Sequence, residues 1–274
     1  MAIGGRTVKS LKFFATHPVF TREEFAASRQ RSCVGSARTT DSLLRKHTES
    51  DRIVRVRRGL YASVPPWATP DSVEVDPYLL ATKVADDATV SHHAALQFHG
   101  RAYSVWSRVT FFTRRHTRAF SFGPTEFVPV KPPRSVAGLP DMGGGVELVA
   151  HAGGMVRVAT CERAMVDVLD TPDLSGGWEE IWRSLEMVEF FDLDAVISYT
   201  LALGTALTTG RVGFFLEQHR DALFVENRHL EALKSQRPRQ VRYFDPARRA
   251  GQLVKRWRLI VPDDVLRRSW EEVA

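Results

Sequence analysis

The sequence is poor in cysteine and lacks long apolar runs. Cysteine occurs at Cys33 and Cys161 only, and neither belongs to a CxxC pair, so the sequence predicts neither a disulfide framework nor a thiolate zinc site. The first 18 residues contain no stretch like the apolar region of a signal peptide. No later stretch reaches the roughly 18 apolar residues of a membrane span. We therefore expect a cytoplasmic protein without a membrane partner.

The sequence also lacks the motifs of common catalytic and cofactor sites. HExxH and GxSxG do not occur, and residues 204–212 have one residue too many between their glycines for a phosphate loop. The Gly143 to Gly145 run is not followed by the helix of a dinucleotide site, which favours a flexible turn. His92 and His99 could share one helix face, but further ligands at a suitable spacing are missing. These patterns favour structural roles.

Metal-dependent DNA cleavage is the remaining enzymatic alternative. Asp141 and Glu147 have a plausible spacing for it, but Val149 stands where a lysine is usual. Glu162 and Asp167 lie near Arg163, in a segment that is typical of a helix start capped by Thr160. We therefore predict no catalytic residue, no bound metal, no cofactor and no enzymatic activity.

Charge is present in blocks along the chain. Of the 274 residues, 43% are apolar and 26% are charged, which is typical of one large or two ordinary folded domains. Residues 1–63 contain 13 Lys and Arg against 5 Asp and Glu, residues 64–233 contain 14 against 22, and residues 234–274 contain 11 against 5. Two basic ends therefore flank an acidic middle, which favours a nucleic-acid partner for the ends.

A proline-rich segment lies where the charge first changes sign. Residues 63–77 contain four prolines, and we interpret them as a linker. This interpretation predicts a first domain over residues 1–68 and a second over residues 69–274.

The first domain has the pattern of three helices and a hairpin. Helices are predicted over Arg6 to Ala15, from Thr21 onward, and over Ser36 to Thr48. Thr21 with Glu24 forms a capping box for the second helix, and Ser36 is a candidate cap for the third. The hairpin follows, with a turn at Arg58 and Gly59. This order predicts a winged helix-turn-helix, whose third helix enters the major groove of DNA.

The predicted DNA-binding residues lie on the third helix and on the hairpin, or wing. One helix face carries the residues expected to approach base edges: Arg38, Thr39, Ser42 and Arg45. A second group is expected to neutralise phosphates: Lys46, Arg52, Arg55, Arg57 and Arg58. In the wing we expect Val54 and Val56 to face the core and Ile53, Arg55 and Arg57 to face away from it. A winged helix that docks a protein is the alternative.

The second domain is predicted to be mixed α/β over residues 69–160 and mostly helical over residues 161–274. Four alternating segments predict strands, near residues 108–114, 126–130, 146–152 and 156–160. Apolar stripes at helical spacing follow Thr160. The fold class is thus α+β: an amino-terminal winged helix-turn-helix followed by a larger mixed α/β domain that becomes helical towards the carboxy terminus. The basic tail after Lys234 interleaves arginines with Tyr243, Phe244 and Trp257, which fits either a second nucleic-acid contact or a solvated helical face.

An ordered set of motifs resembles the AbiEi family of antitoxins from type IV toxin-antitoxin systems. The motifs run from about His17 to His219: HPVFTREEF, RRGLYAS, ATVSHHAALQFHGR, VATCERAMVDVLD, SGGWEEIWRSL and GRVGFFLEQH. VSHHAAL departs from the usual start of its motif, and the basic tail lies outside the matched motifs. The resemblance implies an autorepressor that binds operator DNA, neutralises an AbiEii-type nucleotidyltransferase toxin and belongs to a phage-defence system.

Two alternatives in other classes stay open. One is a stand-alone transcription regulator with a small-molecule pocket in the second domain, and the other is a DNA-targeted nuclease. An acidic second domain favours docking on a basic protein, because like charge opposes the wrapping of DNA around it. The sequence leaves open the operator sequence, the toxin-facing surface and the oligomeric state, a monomer in solution included.

Overall fold

A computed structural model describes residues 3–30 and 37–271 of the chain. The amino-terminal part contains three helices and a small antiparallel sheet. Its elements are α1 (Ile3–Thr16), β1 (Val19–Thr21), α2 (Arg22–Gln30), α3 (Ala37–Glu49), β2 (Ile53–Arg57) and β3 (Leu60–Ser63). The sheet order is β1-β3-β2, so the wing formed by β2 and β3 is anchored by β1. This is the predicted winged helix-turn-helix.

A six-stranded mixed sheet forms the middle of the chain. Its order is β6-β7-β5-β4-β9-β8, and the pairs β5 with β7 and β4 with β9 are parallel. The elements are α4 (Pro77–Thr82), β4 (Thr89–Val90), α5 (His92–Phe98), β5 (Arg108–Phe112), β6 (Phe120–Phe122), β7 (Thr125–Val130), α6 (Arg134–Ala137), β8 (Val146–His151) and β9 (Gly154–Ala159). The four strands predicted from alternation are all present.

Helices follow Thr160, as predicted, and a small sheet that the sequence pattern did not indicate follows them. The helices are α7 (Cys161–Asp170), α8 (Trp178–Glu186), α9 (Leu193–Leu203), α10 (Ala206–Gln218) and α11 (Asn227–Lys234). The last elements are β10 (Arg242–Tyr243), β11 (Gln252–Val254), β12 (Leu259–Val261) and α12 (Asp263–Arg267). In the described residues no helix is long and apolar enough to cross a membrane.

The small carboxy-terminal sheet is fixed by close contacts with α10. Phe244 and Trp257 are fully buried. Gly213 makes room for the indole, since a Cβ there would lie 2.2 Å from a ring atom of Trp257. The buried guanidinium of Arg211 donates hydrogen bonds to the carbonyls of Leu169 (2.8 Å) and Phe244 (2.9 Å). Phe244 and Trp257 are therefore core residues and do not form a stacking surface for bases, whereas Tyr243 is exposed.

The hydrophobic core runs across the predicted linker. Five residues form a small core inside the winged helix: Phe14, Phe20, Phe25, Leu44 and Ile53. Val19 and Leu60 instead belong to the large core that α4, the mixed sheet and the later helices share. Residues 64–76 contain one short 3₁₀ turn, Pro70–Ser72, and no longer element. The winged helix is thus packed against the remainder of the chain.

Candidate nucleic-acid interface

Helix α3 is positioned by its buried stripe and by polar bonds to α2. Thr40, Leu44 and His47 are almost fully buried, as the helical spacing predicts. Asp41 accepts two hydrogen bonds from Arg22, at 2.6 and 3.1 Å, and Thr40 accepts one from Arg29 at 3.0 Å. Burial, together with the charges of Arg52 and Lys46, lowers the pKa of His47 and favours its neutral form.

The start of α2 carries the predicted capping box. The amide of Glu24 donates to the Thr21 hydroxyl at 3.1 Å, and the amide of Thr21 donates to the Glu24 carboxylate at 2.8 Å. Two amides that the helix cannot satisfy are thereby bonded. The predicted cap of α3, Ser36, lies outside the described residues.

The outer face of α3 is polar and open to solvent. Arg38, Ser42, Arg45 and Lys46 are exposed, and Thr39 is half-buried. The Arg45 side chain is 75% exposed and lies 3.8 Å from Glu49, one helical turn away. An exposed ion pair of this length contributes little to stability, so Arg45 is available to a partner.

The wing presents most, but not all, of its arginines to solvent. Arg55 and Arg58 are exposed and Arg52 is half-buried, while Gly59 turns the hairpin with a φ of +80°. Arg57 points elsewhere: its guanidinium lies 4.8 Å from the centre of the Phe120 ring in β6. The structure therefore brings Arg55 and Arg58 to the open side of the wing and places Arg57 against the second part of the chain.

The expected alternation of the wing is wrong at its base. Ile53 was predicted to face away from the core, yet it is 1% exposed and packs in the winged-helix core. Val56 packs against the large core instead. Ile53 packs with Leu44 of α3 in that small core, a tertiary contact that the two-residue period of a strand does not reveal. The register shift between Arg55 and Arg57 interrupts the period only beyond Ile53.

Two contacts that sequence reasoning missed hold the winged helix to the second part of the chain. Lys83, at the end of α4, forms an ion pair with Glu24 of α2. Phe120 receives the Arg57 guanidinium, a cation–π contact. Neither residue belongs to a local motif, so only the tertiary structure identifies them. The α3 face and the wing are consequently held in one orientation relative to the mixed sheet.

The residues with catalytic or metal-binding potential are used in packing. His92 is fully buried beside Ser91, and burial with the nearby Arg163 charge lowers its pKa to about 3. His93 stacks on Trp106 at 3.8 Å and bonds to Glu180 at 2.9 Å. Among the described residues, no group of three or more His, Cys, Asp or Glu side chains is arranged to hold a metal.

Arg163 holds the Gly143 to Gly145 run, which was predicted to be a flexible turn, in one conformation. Its buried guanidinium donates to the carbonyls of Asp141 and Gly144, both at 2.7 Å. Gly145 lies so close that a Cβ there would be 2.9 Å from the Arg163 side chain. The partner carboxylate, Asp167, accepts a bond from Tyr199 at 2.9 Å, and burial raises its pKa to about 7. The loop is thus bound to α7, with Thr160 as the predicted cap.

Comparisons with known proteins give a family match for residues 9–64 and a fold match for most of the chain. No curated protein matches it. The crystal structure of the RV2827C protein from Mycobacterium tuberculosis has a similar fold, with a TM-score of 0.58 at 17% identity over 94% of this chain and 92% of that one. At this identity the likeness concerns the fold alone. Residues 9–64, which contain α2, α3 and the wing, match the family model described as transcriptional regulator, AbiEi antitoxin.

Proposed function

We propose that this protein is a transcriptional repressor that binds operator DNA through α3 and the wing. The observation that carries the proposal is the convergence of exposed cations from two elements. Arg45 of α3 and Arg55 and Arg58 of the wing line the same cleft, so their charges are neighbours in space. A duplex presents a dense line of phosphates to such a cluster, and arginine can bond two phosphate oxygens at once.

The assignment of individual residues follows their positions. Arg38, Thr39, Ser42 and Arg45 share the outer side of α3, from which base edges in the major groove can be reached. Lys46, Arg52, Arg55 and Arg58 flank that side and contribute phosphate contacts. Arg57 has a different position, because its guanidinium is engaged with Phe120. We therefore assign it a smaller share of DNA binding than its wing neighbours.

The proposed phosphate contacts of the wing can be tested by measuring how duplex binding depends on salt concentration. Arg55→Ala and Arg58→Ala should each weaken binding to every sequence and reduce the slope of log affinity against log salt by about one, because each removes one phosphate neutralisation. Fluorescence anisotropy with a labelled duplex over a salt series measures this slope.

Arg134→Ala is the matched control, since Arg134 is also exposed but lies in α6, outside the winged helix and the basic tail. It should leave the slope unchanged. Wild-type slopes in both wing variants would contradict the phosphate assignment.

We further propose that the protein neutralises a nucleotidyltransferase toxin and does so by binding rather than by catalysis. The proposal is supported by the family description of residues 9–64 as an antitoxin regulator. The acidic middle of the sequence also favours a basic protein partner.

Co-expression tests the antitoxin role. The full chain should restore growth to cells that express the proposed cognate nucleotidyltransferase toxin from a separate promoter. An Arg55→Ala, Arg58→Ala double variant should restore growth equally well while losing repression. Failure of the wild-type chain to restore growth would refute this role and leave the DNA-binding proposal standing.

A further inference from the structure

An open cleft separates the winged helix from the segment 82–86. Its volume is about 1240 Å³, and its walls are the start of α2, the side of α3 that carries Asp41, Arg45 and Thr48, the wing and the end of α4. Glu24 and Lys83 both line the cleft and form an ion pair, so the two walls meet there. A small ligand can enter, since ligand sites commonly have volumes of about 300–1,000 Å³.

Unneutralised positive charge dominates the lining of the cleft. Three of its acidic residues are each engaged by a cation: Glu24 by Lys83, Asp41 by Arg22 at 2.6 Å, and Asp86 by Arg115 at 3.0 Å. The fourth, Glu23, is largely exposed and lies 3.9 Å from Arg22. The lining also contains four arginines, Arg45, Arg55, Arg57 and Arg58. Within the described residues, the one ion pair that these four arginines form is the exposed pair of Arg45 with Glu49.

Arg57 is the arginine that the fold holds most firmly. Its guanidinium lies over the Phe120 ring, a contact that Arg55 and Arg58 do not make. Its Nη1 is buried and has no hydrogen-bond acceptor within the described structure. A buried donor without an acceptor is costly, and a bound anion would supply one.

We propose that this cleft binds the polyphosphate chain of a free nucleotide. A chain of phosphates is one group wide, carries the required charge and offers several oxygens to the forked arginine donors. The cleft also contains two half-buried apolar side chains, Tyr61 and Val84, on which a base can lie. The phosphates are recognised by charge and the base by apolar contact.

A consequence follows if the proposed DNA binding is correct. Arg45, Arg55 and Arg58 cannot serve duplex phosphates and nucleotide phosphates at once. A nucleotide in the cleft therefore competes with operator DNA, which makes repression sensitive to the nucleotide concentration.

Direct binding of defined probes to the full chain tests the site. Fluorescence anisotropy of N-methylanthraniloyl-ATP should give saturable binding that ATP and inorganic tripolyphosphate reverse, whereas adenosine should not reverse it. Arg57→Met keeps an unbranched side chain against Phe120 but removes the charge, and Thr82→Trp fills the cleft from the α4 side. Each should weaken binding at least tenfold.

Matched controls are available on nearby and distant surfaces. Ala119 is exposed beside Phe120 and Arg242 is exposed in β10, and neither lines the cleft. Ala119→Trp and Arg242→Met should therefore bind the probe as the wild type does, and melting curves verify that all four variants fold. No saturable binding to the wild type, or equal binding by all variants, would overturn the proposal.

Duplex binding is measured separately so that the two proposals can fail independently. A chain that binds duplex but not the nucleotide probe refutes the cleft site and keeps the proposed function. A chain that binds the probe but not duplex keeps the cleft site and refutes the proposed function. If both bind, ATP must displace the labelled duplex from the wild type, and absence of displacement would overturn the competition.

Discussion

At the scale of single residues, the buried charges and histidines are unusual features of this protein. Arg163 and Arg211 are almost fully buried, yet each donates to main-chain carbonyls. Such bonds fix loops and helix ends that have no regular partner, and Arg163 also lies 3.6 Å from the Asp167 carboxylate. Removing either side chain would leave several carbonyls without donors, so these arginines serve the fold rather than a ligand.

His92 makes stability depend on pH. Its pKa in the folded state is lowered to about 3 from 6.5, so below pH 6.5 the unfolded chain takes up a proton that the folded chain does not. Stability is therefore lost as the pH falls through this window, by at most about 1.4 kcal/mol per pH unit. His92→Asn, which tolerates the residue's φ of 55°, should flatten this dependence.

Urea unfolding at pH 7, 6 and 5 measures the effect. The expected result is that the stability gap between the wild type and His92→Asn narrows as the pH falls. His116 is exposed, and His116→Asn should follow the wild-type profile. A gap that stays constant over the three pH values would show that His92 does not titrate as its burial requires.

At the scale of elements, Gly213 of α10 leaves the space in which Trp257 of the carboxy-terminal segment packs. Gly213→Ala should destabilise the protein by about 1–3 kcal/mol, because the added methyl group overlaps the Trp257 ring and forces repacking. Gly138→Ala is the matched control, since nothing lies within 4 Å of its Cβ and its φ is negative. Thermal unfolding compares them, and equal melting temperatures would contradict the docking contact.

Elements with local signals were predictable from the sequence, whereas contacts between distant segments were not. The Thr21 capping box, the α3 stripe and the four strands depend on neighbouring residues, and all are present. The bulge in β2 and the short strands of the tail have weak local patterns. Strands of two or three residues contain too few alternations to reveal a period.

The candidate interface was predictable only in part for the same reason. Residues on the outer side of α3 follow from helical geometry, which places Arg38, Ser42 and Arg45 together. The position of Arg57 over Phe120 depends on residues 63 positions apart in the chain, and no spacing rule connects them. The prediction that Arg57 neutralises phosphate stays a prediction, which an Arg57→Ala variant in the same salt series would test.

At the scale of the whole molecule, the large core extends into the winged helix, so we expect the chain to unfold as one unit. Val19 and Leu60 of the winged helix pack in the large core. All six tryptophans lie at or beyond residue 67, so their fluorescence reports on the later part, while circular dichroism also reports on α1, α2 and α3. The two signals should therefore change at one temperature on heating.

Leu60→Ala should lower that temperature in both signals together, because removing a buried leucine side chain costs about 2–5 kcal/mol. Leu11→Ala is the control, since Leu11 is 43% exposed, and it should have little effect. A circular dichroism transition that precedes the fluorescence transition would show that the winged helix unfolds alone.

The docking of the tail on α10 has a genetic consequence. Phe244 and Trp257 cover apolar groups of α8 and α10, so a stop codon soon after codon 234 would not yield a shorter but competent product. It would yield a chain with exposed apolar surface on α8 and α10, and chaperones and proteases recognise such surface. Nonsense mutations late in the reading frame should therefore resemble a full gene deletion in their phenotype.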